Sequence, residues 1–230
     1  MDSSMRVLLV TAVCCIASYL VCGIPFGKIL GKRLGNVDIQ QAGSGNIGTT
    51  NALRVAGPKV AALTLLFDLL KGTACVVVAR YAIPAWGYCG PAAAVAPGAP
   101  GDWLVVFVAL ASLYGHIFSP YLHFHGGKGI ATGVGILFGY FWPLALVHLG
   151  IFIVLVALTR YVSLGSIVTA GLVPLTMYLA FPSMGTGALA LWALLGWTVV
   201  WAHRSNIRRL RAGKESKLSF SKRVTTKDDD

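Results

Sequence analysis

The chain has 230 residues, of which 56% are apolar and 12% charged, and it carries a formal net charge of +11. One soluble core cannot bury that much apolar surface, so lipid is the expected solvent and an all-α integral membrane protein the expected fold class. Nucleic-acid binding, which the positive charge alone would suggest, is set aside because the basic residues fall where loops and tail would meet anionic headgroups.

Apolar runs of about 20 residues predict seven transmembrane helices, near residues 5–27, 60–83, 103–122, 129–141, 143–160, 162–181 and 184–202. The stretch 129–160 is too long for one crossing, and Phe141-Trp142-Pro143 divides it into a short helix and a full one joined by a tight turn. Sixteen of the 19 basic residues then fall on one side: Lys28, Lys32, Arg33, Arg54, Lys59, Lys128, Arg160 and nine from Arg204 to Lys227. By the positive-inside rule that side is the cytoplasm, with the N-terminus outside and the C-terminus inside. An odd number of crossings agrees. The first span is kept as a helix and not a signal peptide, since only Arg6 precedes it and no small-residue cleavage site stands before Pro25. Cys14, Cys15, Cys22, Cys75 and Cys89 form no C-x-x-C pair and read as packing residues. Residues 1–213 form one membrane domain, followed at 214–230 by a basic cytoplasmic tail expected to be disordered.

Four polar elements interrupt the apolar pattern, all on the cytoplasmic side. The first, after an anchor of Lys28, Lys32 and Arg33, is Gly43-Ser44-Gly45-Asn46-Ile47-Gly48-Thr49-Thr50-Asn51 with Arg54 three residues on. Glycines that turn backbone N–H groups onto a ligand, hydroxyl and amide donors, and a guanidinium fork suit a phosphate. No strand precedes this G-x-G-x-x-G and no Gly-Lys-Ser/Thr closes it, which excludes dinucleotide and Walker loops. Asp68 and Lys71 share a helical face inside the next span and read as a structural ion pair. The second element, His125-Gly126-Gly127-Lys128-Gly129, places an ammonium among glycines. His123 and His125 lack the Cys or carboxylate companions of a metal site. The third is Thr159 to Ser166, and the fourth His203-Arg204-Ser205-Asn206-Ile207-Arg208-Arg209, where His203 and Asn206 stand one turn apart.

Carboxylates are nearly absent from this side, Asp38 and Glu215 being the two in its connections. That excludes a phosphotransferase whose divalent ions need several acids at fixed spacing, and no His-x-x-x-x-Asp acyltransferase signature occurs. No cofactor and no metal are called for. A mixed acyl-phosphate anhydride fits instead, because phosphate leaves readily when cationic donors receive it.

The ordered motifs resemble the bacterial glycerol-3-phosphate acyltransferase family known as PlsY, up to about residue 215. They are Ser44 to Asn51 with Arg54, Asp68-Leu69-Leu70-Lys71-Gly72, Gly115-His116-Ile117-Phe118, Gly126-Gly127-Lys128-Gly129, Ser163-Leu164-Gly165-Ser166 and His203-Arg204-Ser205-Asn206. Thr49 stands where the family more often has alanine, and Ser119 precedes Pro120 where the family often runs Phe-Pro directly. The resemblance implies a seven-helix enzyme of the bacterial inner membrane with glycine-rich active-site loops facing the cytoplasm. It implies transfer of a fatty acyl chain from acyl phosphate to the 1-hydroxyl of glycerol 3-phosphate, giving lysophosphatidate in the first step of phospholipid synthesis. Its partners are those two substrates and membrane lipid, with no obligate protein partner. By motif position, Ser44, Gly45, Asn46, Asn51, Arg54, Gly127 and Lys128 bind phosphate, and Lys128, Ser166, His203 and Asn206 are the catalytic set. The general base is left open between His203 and a phosphate of a bound substrate.

Overall fold

The computed structural model describes residues 2–88 and 90–218. Among them the chain is helical with no strand: α1 (Ser3–Gly23), α2 (Phe26–Gly35), α3 (Thr49–Ala56), α4 (Pro58–Ala82), α5 (Asp102–Ile117), α6 (Ile130–Thr159), α7 (Val162–Ala180), α8 (Thr186–Ala202) and α9 (Arg204–Arg211). By length and apolarity five stretches qualify as membrane crossings: Ser3–Gly35, Pro58–Gly87, Asp102–Leu122, Ile130–Thr159 and Val162–Ala180. A sixth is added if α8 and α9, bent by 56°, count as one span.

The difference from the seven expected arises partly in α6, which contains a non-helical residue, Phe141 (φ −155°, ψ 94°), two positions before Pro143. Proline has no N–H, so the carbonyl of Gly139 four residues earlier loses its helical partner. Arg80 of α4 supplies donors there, reaching the carbonyls of Gly139 at 3.3 Å and Tyr140 at 2.9 Å. Before the break α6 runs alongside α4 in the same direction. Thr132 lies at Gly72, and the Thr73 hydroxyl donates to the Gly135 carbonyl at 2.9 Å. After it α6 runs against α7, with His148 beside Thr176 at 2.8 Å and Phe152 and Val156 against Gly165. Phe181, at the end of α7, packs edge-on against both Tyr140 and Phe141. The two arms of α6 thus have different neighbours, α4 before the break at Phe141 and α7 after it.

α5 is the central helix, with Leu104, Val105, Val106, Val108, Ala109 and Leu113 fully buried. In lipid, helices gain little from hiding apolar surface and associate through close contact at small residues. A Cβ on Gly115 would lie 2.1 Å from the Tyr19 carbonyl of α1, and one on Gly135 2.0 Å from the Leu69 carbonyl of α4. Where Pro25 ends α1, the carbonyls left over are taken by side chains: Ser119 Oγ donates to Gly23 O at 2.6 Å and Lys71 Nζ to Ile24 O at 2.9 Å. Lys71 also meets Asp68 at 2.7 Å, both side chains being buried. The pair thus ties α4 to the end of α1 and delivers the chain into α2.

The segment expected to be a disordered tail divides in two. Residues 214–218 carry no helix but are tied to the body: Leu218 N donates to Arg160 O at 2.7 Å, and Lys217 lies over the Tyr161 ring. Residues 219–230 lie outside the described ones.

Candidate active site

The first glycine-rich loop is held from beneath. Ile39 and Ile47, at its two ends, are fully buried and pack with Leu122. Asp38 anchors its start, lying 3.2 Å from Lys32 Nζ and 3.8 Å from Lys28 Nζ, and accepts from the Gln40 amide at 3.1 Å. Lys28 also donates to the Gln40 side chain.

Asn51 in the first turn of α3 organises the rest. Its Nδ2 faces the carbonyls of Ile39 at 2.8 Å, Asn46 at 2.9 Å and Ala42 at 3.1 Å, and its Oδ1 accepts from Ser44 N at 2.9 Å. Every polar group of this buried amide is spent on the loop, so Asn51 shapes the loop and does not line the cleft, where the sequence reading expected it to bind phosphate. Gly43 (φ +61°) and Gly45 (φ +70°) supply the left-handed turns that bring the chain round Asn51, and a Cβ on Gly43 would lie 2.4 Å from Asn51 Oδ1. The loop amides also differ from a converging cradle. Those of Ser44, Gly45 and Gly48 bond inside the loop, to Asn51 Oδ1, Ala42 O and Asn46 Oδ1. What the loop offers outward is side chains.

Those side chains face a cleft of about 250 Å³ lined by Gln40, Ser44, Gly45, Asn46, His125, Gly126, Lys128, Ser205 and Arg209. The cleft brings together the two glycine-rich elements and the basic helix α9, with Gln40 and Arg209 standing 169 residues apart in sequence. Lys128 Nζ donates to Asn206 Oδ1 at 2.6 Å, Asn206 Nδ2 donates to Glu215 Oε1 at 2.6 Å, and Arg209 Nε donates to Glu215 Oε2 at 2.7 Å. Burial, reinforced by Arg209 and Arg54 and opposed by Glu215, lowers the Lys128 ammonium to about 8. Burial works to raise Glu215, but its bonds from Asn206 and Arg209 outweigh it and keep this carboxyl below its ordinary range.

Of the expected site residues, Ser44, Gly45, Asn46 and Lys128 line the cleft, and Asn206 holds Lys128. Arg54 stands near enough to depress Lys128, and no hydrogen bond or ion pair engages its guanidinium among the described residues. Gly127 lies behind the cleft wall, its amide bonded to His116 O at 3.1 Å. Ser166 is buried and bonds back to Val162 O at 2.9 Å in its own helix. His203 is buried at the bend between α8 and α9, where its Nδ1 meets Val199 O at 2.8 Å. A carbonyl only accepts, so Nδ1 carries the proton and Nε2 keeps its lone pair. Gln40, Ser205, Arg209, His125 and Glu215 were not expected in the site. The i,i+3 spacing of Asn206 and Arg209 on one helical face was the available signal for Arg209.

The cleft is walled by hydroxyl and amide groups and by two cations, Lys128 and Arg209, with the Glu215 carboxylate bonded to Arg209, a set of groups suited to a small anion. Comparison with known proteins gives the chain a family. Residues 12–213 match the model of the family described as glycerol-3-phosphate acyltransferase. The chain belongs to that family. Curated glycerol-3-phosphate acyltransferases resemble this acyltransferase over most of both lengths. That of Brucella anthropi is 42% identical over 88% of this chain and 90% of its own, and that of Rhizobium meliloti 39% identical over 90% and 92%. Two solved structures of PlsY (YgiH), an integral membrane glycerol 3-phosphate acyltransferase, share the fold. Its glycerol 3-phosphate form gives TM-score 0.77 at 31% identity, covering 91% of this chain and 96% of that one. Its lysophosphatidic acid form gives 0.75 at 30%, covering 91% and 95%. The matched stretch of this acyltransferase takes in both glycine-rich elements and α9 but stops before Glu215.

Proposed function

We propose that this glycerol-3-phosphate acyltransferase takes its acyl group from a fatty acyl phosphate and places it on the 1-hydroxyl of sn-glycerol 3-phosphate, releasing 1-acyl-glycerol 3-phosphate and inorganic phosphate. The observation that carries this reading is the Lys128–Asn206 contact at 2.6 Å beside Ser44, Gly45 and Asn46. A half-buried ammonium there lines a cleft sized for a small phosphomonoester. The hydroxyl oxygen attacks the acyl carbonyl carbon, the carbon–oxygen bond to phosphate breaks, and phosphate departs with the electron pair. Lys128 and Arg54 receive that charge, while Ser44 and Asn46 orient the phosphate of the acceptor. Asn206 holds Lys128 in place, and Ser166 completes the site. The proton of the hydroxyl passes to His203 Nε2 or to a phosphate oxygen of a bound substrate.

The contacts that turn α6 at Phe141 support seven crossings, and Lys28, Lys32, Arg54, Lys128, Arg160 and the arginines of α9 on the cleft side support a cytoplasmic face for the site. On this reading residues 1–213 are one acyltransferase domain of the bacterial inner membrane, acting at the first step of phospholipid synthesis with no obligate protein partner. The test is purified protein with labelled glycerol 3-phosphate and, separately, acyl phosphate, acyl-CoA and acyl-carrier protein. Product with acyl phosphate alone is expected, and product with either thioester at equal or higher rate overturns the donor assignment.

A further inference from the structure

Gly127 has no positive φ, so its backbone accepts an L-residue without strain, and the reason for glycine lies in its surroundings. A Cβ there would sit 2.2 Å from His116 Nε2. The imidazole of His116 is therefore the floor on which the Gly126-Gly127-Lys128 turn rests. His116 serves the turn with its backbone as well: Gly127 N donates to His116 O at 3.1 Å, and Gly126 N to Ile117 O at 2.9 Å. Gly126 leaves no more room, since its Cβ would lie 2.0 Å from the His116 carbonyl.

The ring stands beside the charge pair of α4. Its Nδ1 edge faces Asp68 Oδ1 at 3.7 Å, and the same oxygen holds Lys71 Nζ at 2.7 Å. All three side chains are buried. With a carboxylate on its Nδ1 side, the imidazole turns its Nε2 edge toward Gly127. A chain of contacts thus runs from the intramembrane charge pair, through His116, to the turn that ends in Lys128. Buried charged groups inside a bundle are costly and persist where they hold something in place.

We propose that His116 is a positioning residue for acyl transfer: oriented by Asp68, it sets the height of the Gly126–Lys128 turn and so places the Lys128 ammonium against Asn206 in the cleft. This rests on the reading of Lys128 as a phosphate ligand.

The experiment is a size exchange. Glycerol 3-phosphate kinetics and melting curves are measured for Gly127→Ala, His116→Asn, the double variant and Lys128→Met. Asparagine keeps an amide donor toward Asp68 and vacates the space at Nε2. Gly127→Ala is expected to raise KM and lower kcat/KM about a hundredfold, His116→Asn about tenfold, and the double variant is expected to recover at least about tenfold over Gly127→Ala, as residues in contact couple and distant ones do not. Multiplicative losses in folded proteins overturn the proposal. If His116→Asn does not fold, His116→Ala is used for the exchange. Failure of both to fold, with or without Gly127→Ala, makes His116 a bundle residue and overturns the proposal. Near-normal kinetics in Lys128→Met mark failure of the underlying reading. An impaired Lys128→Met beside an exchange without recovery marks failure of the positioning role alone.

Discussion

On the proposed reading Lys128 should set an alkaline limit on catalysis, and its surroundings fix where that limit falls. Its ammonium is held at about 8, against an ordinary 10.5, chiefly by burial and then by Arg209 and Arg54. A base whose affinity for protons is depressed is charged below that value and neutral above it. The phosphate-binding form therefore declines as pH rises through about 8, and kcat/KM, which reports the free enzyme, should fall to about a tenth of its plateau one unit higher. Once a phosphate dianion lies against Nζ it favours the charged form, so the limb in kcat is expected at higher pH than the limb in kcat/KM. Lys128→Arg keeps its charge throughout and should remove the limb while losing rate through altered geometry. Lys128→Met loses a charge-assisted contact, about 1.5 to 3 kcal/mol or one to two decades in rate, and its residual activity should show no such limb. The assay is initial rate against glycerol 3-phosphate from pH 6.5 to about 10, with a melting curve at each end to exclude unfolding. A kcat/KM that stays flat across that range in the wild type would refute the placement of this ammonium in the substrate site.

Other outcomes follow from the same geometry. Arg54→Lys should stay impaired by about tenfold or more with an unchanged melting midpoint, because an ammonium cannot make a planar two-point contact with phosphate; kinetics beside a melting curve decide it. Asn51→Ala removes a side chain that meets four backbone groups of the loop, and each group left unsatisfied costs about 1 to 3 kcal/mol. It should therefore lower the melting midpoint as well as activity, unlike Arg54→Lys. Activity should survive chelation, since no group of three metal-ligating side chains exists among the described residues; loss that one divalent ion restores would contradict the mechanism. A cysteine at Lys217, in a background without native cysteines, should be labelled only after the membrane is opened, and labelling in intact cells would reverse the orientation.

The parts of this molecule that sequence makes legible are those where one residue type has one physical consequence. Apolar runs mean lipid, and Pro143 means a carbonyl without a partner. The break at Phe141 follows from that proline, while the guanidinium that takes up the freed carbonyls, Arg80, reaches them from 59 and 60 residues away along the chain. The site was legible in composition but not in its division of labour. Ser44, Asn46 and Asn51 all present hydrogen-bonding side chains in one short stretch, and nothing in their order tells which turns inward. Burial decides that: Asn51 is enclosed behind Ile39 and Ile47 and must satisfy itself on the loop, which leaves Ser44 and Asn46 for the cleft. Glu215 was hidden for the opposite reason. It stands in a polar, basic segment that composition assigns to solvent, yet two bonds below 2.8 Å draw it onto Asn206 and Arg209. The glycines teach the most, because one letter answers to two different constraints. Gly43 and Gly45 are glycine for their left-handed backbone, whereas Gly127 is glycine because a histidine ring occupies the place of its side chain. Only the first constraint is local, so only the first can be read from the residues beside it.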